Sequence, residues 1–164
     1  MGIVIRPLEN RDSAAVREIL IACGVFSDEE VRVAIELLEQ GVAEGLAGNY
    51  PLFTAELDGV LRGYVCIGRV PFTRGTWHLY WIAVHPAVQA LGIGRALQAH
   101  AEDFIRSLGG ERLALETSSR TDYERTRRFY LRAGYAQVGC IRDFYTPGDD
   151  CLMFCKVLTP LPDA

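Results

Sequence analysis

The chain has 164 residues, 49% hydrophobic and 23% charged, with a formal net charge of -4. That composition and size suit a single globular domain over residues 1–164, whose core needs neither metal nor disulfide, and the acidic balance argues against nucleic acid as a partner. No run reaches the roughly 18 uninterrupted apolar residues of a membrane span, and residues 1–7 lack a secretory pattern, so no membrane association and a cytoplasmic location are expected.

Residues 3–6 read as a short opening strand. Residues 10–12 offer capping oxygens to a helix that carries Val16, Ile19, Leu20 and Cys23 on one face and ends at Gly24. Ser27 and Glu30 form the Ser-x-x-Glu capping box of a second helix, with Val31, Ile35 and Leu38 inward and Gly41 at its expected end. Residues 53–57, Asp58-Gly59 and residues 60–70 spell a hairpin, because Asp-Gly accepts the positive dihedrals of a tight turn. A third strand, 77–84, is closed by His85-Pro86. A helix over 92–108 follows, with Ala96, Leu97, Ala101, Phe104, Ile105 and Leu108 as its apolar stripe. Gly109-Gly110 ends it before a strand at 112–118. A last helix spans about 122–133, and strands at 135–141 and 151–157 close the chain around residues 146–150. The order is that of a mixed α/β domain. Cys23, Cys66, Cys140, Cys151 and Cys155 lie mostly in apolar stretches without a Cys-x-x-Cys, which points to buried free thiols and offers no metal-ligand spacing.

The segment Gln89-Ala-Leu-Gly-Ile-Gly-Arg95 lies where a strand turns into an amphipathic helix. Gly92 and Gly94 let backbone come close to a ligand, and the first helical turn presents unpaired N–H groups at a positive dipole end. Arg95 and Gln89 add a charged and a neutral donor, a set suited to a diphosphate. An isolated Gly-x-Gly is more readily read as a turn that merely lets the helix pack. Two other phosphate motifs fail on spacing, since the dinucleotide fingerprint needs glycine where Leu97 stands and no Gly-Lys-Ser/Thr is present. Strand alternation puts Glu116 on one face with Ala114 and Ser118, opposite Leu113, Leu115 and Thr117, and puts His78 with Tyr80, Ile82 and Val84.

Ile82-Ala-Val-His-Pro86 followed by Gln89-x-x-Gly92-x-Gly94-Arg-Ala-Leu97 resembles the acetyl-CoA-binding motif of the GCN5-related N-acetyltransferase (GNAT) superfamily. Arg127-Arg-Phe-Tyr-Leu-Arg-Ala-Gly-Tyr135 looks like that superfamily's later helix. The resemblance implies a twisted, mostly antiparallel sheet of about six or seven strands, with helices on both faces and a splayed strand pair forming the acyl-CoA cleft. It implies an acyl-CoA-dependent N-acyltransferase that moves acetyl from acetyl-CoA, its cosubstrate, to a primary amine by direct attack in a ternary complex, without a metal.

By the same resemblance, backbone groups of Ile82, Ala83 and Val84 meet the pantetheine and the thioester carbonyl, where an N–H can hold the developing oxyanion. The amides of Leu91, Gly92, Ile93, Gly94 and Arg95, with Gln89, hold the pyrophosphate. Tyr130 protonates the departing CoA thiolate. Glu116 is the first candidate for general base, ahead of His78 and Tyr80, with a water relay as the alternative. Many members carry glycine at the position of Ala90, where an ordinary conformation is expected because left-handed alanine costs roughly 1 kcal/mol. Arg120, Arg125, Arg127 and Arg128 read as a solvated face paired with Glu124 or as contacts for the CoA 3′-phosphate. Asp143, Tyr145, Asp149 and Asp150 read as a draw for a cationic amine or as a solvated turn around Pro147-Gly148. The partner implied is a small-molecule or peptide amine, and a homodimer is compatible with the chain. The competing reading is a CoA-binding regulatory module without turnover.

Overall fold

The computed structural model describes residues 2–158. Its strands are β1 (Ile3–Pro7), β2 (Leu52–Leu57), β3 (Val60–Arg69), β4 (Thr76–Val84), β5 (Arg112–Ser118), β6 (Ala136–Thr146) and β7 (Asp149–Val157). They form one sheet in the order β1-β2-β3-β4-β5-β7-β6, antiparallel throughout except between β4 and β5. Helices α1 (Ser13–Cys23) and α2 (Asp28–Glu44) lie on one face, α3 (Ile93–Ser107) and α4 (Glu124–Arg132) on the other. This is the mixed, mostly antiparallel sheet with helices on both faces that the sequence implies.

Two apolar clusters account for the layers. Val16, Ile19 and Leu20 of α1 meet Val31, Ala34, Ile35 and Leu38 of α2 over Leu52, Tyr64, Cys66 and Ala83 of the sheet. On the opposite face Ile93, Leu97, Ala101 and Ile105 of α3, with Tyr130 of α4, cover Val65, Ile67, Trp77, Leu79, Leu113, Leu115 and Phe154. The first pair of helices reaches only β2 to β4, so among the described residues no helix covers the β5–β7 half of that face.

Several boundaries move from their expected places. Residues 10–12 form a 3-10 turn ahead of α1, with Asp12 taking both Arg6 guanidinium N–H groups at 2.7 and 2.9 Å. Gly41 does not stop α2, which runs on to Glu44; a Cβ there would collide with the Tyr50 carbonyl and Leu52, so this glycine permits close helix–strand approach. The expected stripe of α3 omitted two polar residues: Gln98 and Glu102 are buried, and Leu108 is exposed. Gln98 donates to the Tyr135 hydroxyl, which donates to Glu102 at 3.0 Å, while Lys156 Nζ reaches Glu102 at 2.7 Å. The last hairpin is tighter than expected, with only Pro147-Gly148 between β6 and β7. Cys66 and Cys151 are buried as expected, but Cys140 is exposed.

Candidate active site

β4 and β5 pair at Thr76↔Arg112, Trp77↔Leu113 and His78↔Ala114 and then separate, although β4 stays paired to β3 as far as Val84 and β5 to β7 as far as Ser118. A cleft opens between parallel strands that each keep one neighbour. Within β4 the register to β3 shifts, Cys66 facing Trp81 and Ile67 facing Leu79, so Tyr80 is an extra, bulged residue. A bulge inverts the alternation beyond it. His78 and Tyr80 lie toward the α1–α2 side with Trp81 and Ala83, whereas Ile82 and Val84 pack on the α3–α4 side. The expectation that His78 shares a face with Ile82 and Val84 is therefore corrected.

The ladder also sorts the three backbone positions expected to meet the thioester. The His85 N–H bonds the Arg62 carbonyl at 2.8 Å, which makes Tyr64/Ala83 and Cys66/Trp81 the hydrogen-bonded pairs of this antiparallel ladder. The backbone of Ala83 is thus committed to β3, and only Ile82 and Val84 turn theirs to the cleft. The Val84 carbonyl accepts from Gln89 Nε2 at 3.4 Å and from Cys23 Sγ at 3.7 Å. Neither bond was foreseen from the sequence, because Cys23 arrives from a distant helix.

Beyond Val84, His85 Nδ1 accepts the Ala87 N–H at 3.2 Å and starts a 3-10 turn over Pro86–Val88. Ala90 then has φ 73°, against the ordinary conformation expected there, and Gly92 has φ 86°. Gly92 caps α3 without any side-chain hydrogen bond, which leaves first-turn amides of Ile93, Gly94 and Arg95 directed out of the helix. A Cβ on Gly94 would make only ordinary contacts, 3.6 Å to Phe129 and to Val84, and its φ is not left-handed. Gln89 is a brace here: its Oε1 accepts from Arg125 at 2.6 Å while its Nε2 holds Val84. Arg125 is thereby tied to the loop. Arg127 bonds the Ser118 and Arg120 carbonyls, and Arg128 pairs with Glu124.

Tyr130 is 4% exposed, with ring centroids of Phe129, Tyr135 and Phe154 at 5.4, 5.8 and 6.2 Å. Burial pushes its phenol well above the usual range. Glu116 lies on the other face of the sheet, opposite Met153 in the ladder, and engages in no hydrogen bond or ion pair among the described residues. Burial lowers the His78 imidazole, and the negative charge of Glu116 offsets part of that. Burial raises the Tyr145 phenol on the β6 side, with Cys151 and the Glu116 charge adding to it. The loop amides, Ile82 and Val84 therefore gather at the cleft mouth, with Tyr130 on the α3–α4 side and Glu116, His78 and Tyr80 on the other. Among the described residues no group of His, Cys, Asp and Glu is arranged to hold a metal ion, and no helix is long and apolar enough to cross a membrane.

A sheet opened beside an uncapped, glycine-flanked helix start suits a cofactor that carries a diphosphate. Residues 14–135 match the model of the acetyltransferase (GNAT) family, and the chain belongs to that family. It is 30% identical over 115 residues to an uncharacterized N-acetyltransferase of Methanocaldococcus jannaschii, covering 68% of this chain and 70% of that one. It is similar in structure to a protein of Desulfovibrio desulfuricans assigned to the same family, with TM-score 0.91 and 38% identity over 96% of this chain and 100% of that one. A Salmonella typhimurium protein solved with its cofactor acetyl-CoA has the same fold, with TM-score 0.76 and 23% identity over 100% and 99% of the two chains. The chain is an enzyme of the acetyltransferase class.

Proposed function

We propose that this chain is a single-domain cytoplasmic enzyme that transfers acetyl from acetyl-CoA to a primary amine by direct attack in a ternary complex. The observation that carries the reading is the separation of β4 from β5 beyond His78↔Ala114, ending at the uncapped start of α3. Gly94 adds support, since nothing in the protein requires glycine there and the space suits a ligand. The acetyl-CoA bound in the Salmonella typhimurium relative supports the choice of donor. Acetyl-CoA supplies the activated thioester. The amides of Ile93, Gly94 and Arg95 hold its pyrophosphate, with those of Leu91 and Gly92 beside them. Ile82 and Val84 align the pantetheine and offer an N–H to the thioester oxygen. Glu116 removes a proton from the ammonium, the amine forms the C–N bond as C–S breaks, and Tyr130 protonates the leaving thiolate.

Acetyl-CoA binding by calorimetry and thiol release over an amine panel test this directly. Substituting Gly94→Ala should leave the melting temperature unchanged or higher, because alanine favours helix by up to about 1 kcal/mol, yet should weaken acetyl-CoA binding at least about tenfold. Absence of acetyl-CoA binding by the wild-type protein would overturn the proposal.

A further inference from the structure

The half of the sheet face that α1 and α2 leave uncovered has a specific chemistry. By register it presents Ala114, Glu116 and Ser118 of β5 beside Cys151, Met153 and Cys155 of β7, with His78 of β4 at its border. Along the α2 side of this trough runs an aromatic row: Tyr80 lies 4.8 Å from His78 and 5.4 Å from Tyr50, ring centroid to ring centroid. On the far side, residues 142–145 of β6 bulge opposite Asp150, between the pairs Ile141↔Cys151 and Thr146↔Asp149. That bulge is pinned. Asp143, at φ 52°, donates its N–H to Asp150 Oδ1 at 2.9 Å, and its Oδ1 accepts the Gly148 N–H at 2.7 Å.

The carboxylates around the trough are engaged except one. Asp149 accepts from Ser118 Oγ, Asp150 from the Asp143 N–H, and Asp143 from the Gly148 N–H. Glu116 has no such partner among the described residues. Among the described residues of β4, β5 and β7, the only Lys or Arg at a position sharing this face is Arg112. It stands four residues from Glu116, roughly 13 Å along the strand. One unpaired carboxylate answers one ammonium, and aromatic rings beside it attract a cation and accept an apolar body. On β4, β5 and β7 a carboxylate carried next to the amine would meet Glu116 with no cation nearer than Arg112 to balance it, Arg142 standing across the trough in the β6 bulge.

We infer that the acceptor is a primary alkylammonium ion with an apolar body, seated on Glu116 and the row Tyr50, Tyr80 and His78, and that zwitterionic α-amino acids are discriminated against. This rests on the reading of the protein as an amine acetyltransferase. The test titrates pentylamine, norleucine and norleucinamide, matched in side chain, into the protein by calorimetry with and without CoA, and separately titrates acetyl-CoA alone.

Pentylamine should bind at least tenfold more tightly than norleucine. Glu116→Gln should bring the two within about threefold, and Tyr80→Leu, at an exposed position, should weaken pentylamine at least fivefold while the circular dichroism melt is retained. Equal or tighter norleucine binding, no measurable pentylamine binding, or an unchanged ratio in Glu116→Gln overturns the inference. Norleucinamide binding ahead of pentylamine also overturns it, in favour of a peptide N-terminus. Acetyl-CoA failing to bind while the amine preference holds would count against the transferase reading alone.

Discussion

The Tyr130 hydroxyl makes no hydrogen bond among the described residues, and burial keeps its proton in place throughout the physiological range. The proposed acid is thus protonated when the thiolate forms, while burial also makes it a weaker donor. Tyr130→Phe should therefore lower kcat about a hundredfold with little change in the melting temperature or in KM for acetyl-CoA. Retained kcat would remove Tyr130 from the mechanism. Ala90 sits in left-handed backbone without the freedom of glycine. Ala90→Gly should raise unfolding free energy by up to about 1 kcal/mol in denaturant titrations, less whatever the unfolded chain gains in entropy. His78 carries a pH signature. Its folded pKa lies below the unfolded value of about 6.5, so the unfolded chain takes up a proton first as pH falls. Its contribution to stability is complete above about pH 6.5 and is lost as pH falls through the folded value. His78→Gln should flatten the fall in melting temperature that begins just below about pH 6.5. The loss linked to Asp12 should remain, and begins only near its unfolded value of about 3.9.

At the level of elements, periodicity and caps located every helix and strand, because those signals are local: the Ser27/Glu30 box, the Asp58-Gly59 turn and the glycine-flanked start of α3 need no distant partner. Long-range geometry was not legible. Strict alternation along β4 placed His78 with Ile82, since the bulge at Tyr80 depends on the register with β3 and leaves no mark in the sequence. Likewise, Ala83 looked equivalent to its neighbours until pairing with Tyr64 fixed which amides face the cleft. Gly41 read as a stop because a glycine at a helix end and one beneath a crossing strand are the same letter. Glu116 was placed correctly because β5 holds its register to β7 without a shift.

For the molecule as a whole, one buried polar knot ties the parts around the cleft. Glu102 of α3 receives Tyr135, which follows α4, and Lys156 of β7, so α3 is bonded to both later elements. Glu102→Leu should cost about 3 kcal/mol or more in unfolding free energy, because it strands the partly buried Lys156 and a buried hydroxyl. Replacing Glu102 and Lys156 together by Leu and Met should recover part of that loss, as a double-mutant cycle would show. Among the described residues no helix covers the β5–β7 half of one face, and that has a different outcome. Glu116 there is exposed and stands outside both apolar clusters, so exchanging it leaves those clusters alone. If this face seats the acceptor as proposed, changes at Glu116 alter selectivity apart from the two clusters that hold the scaffold together.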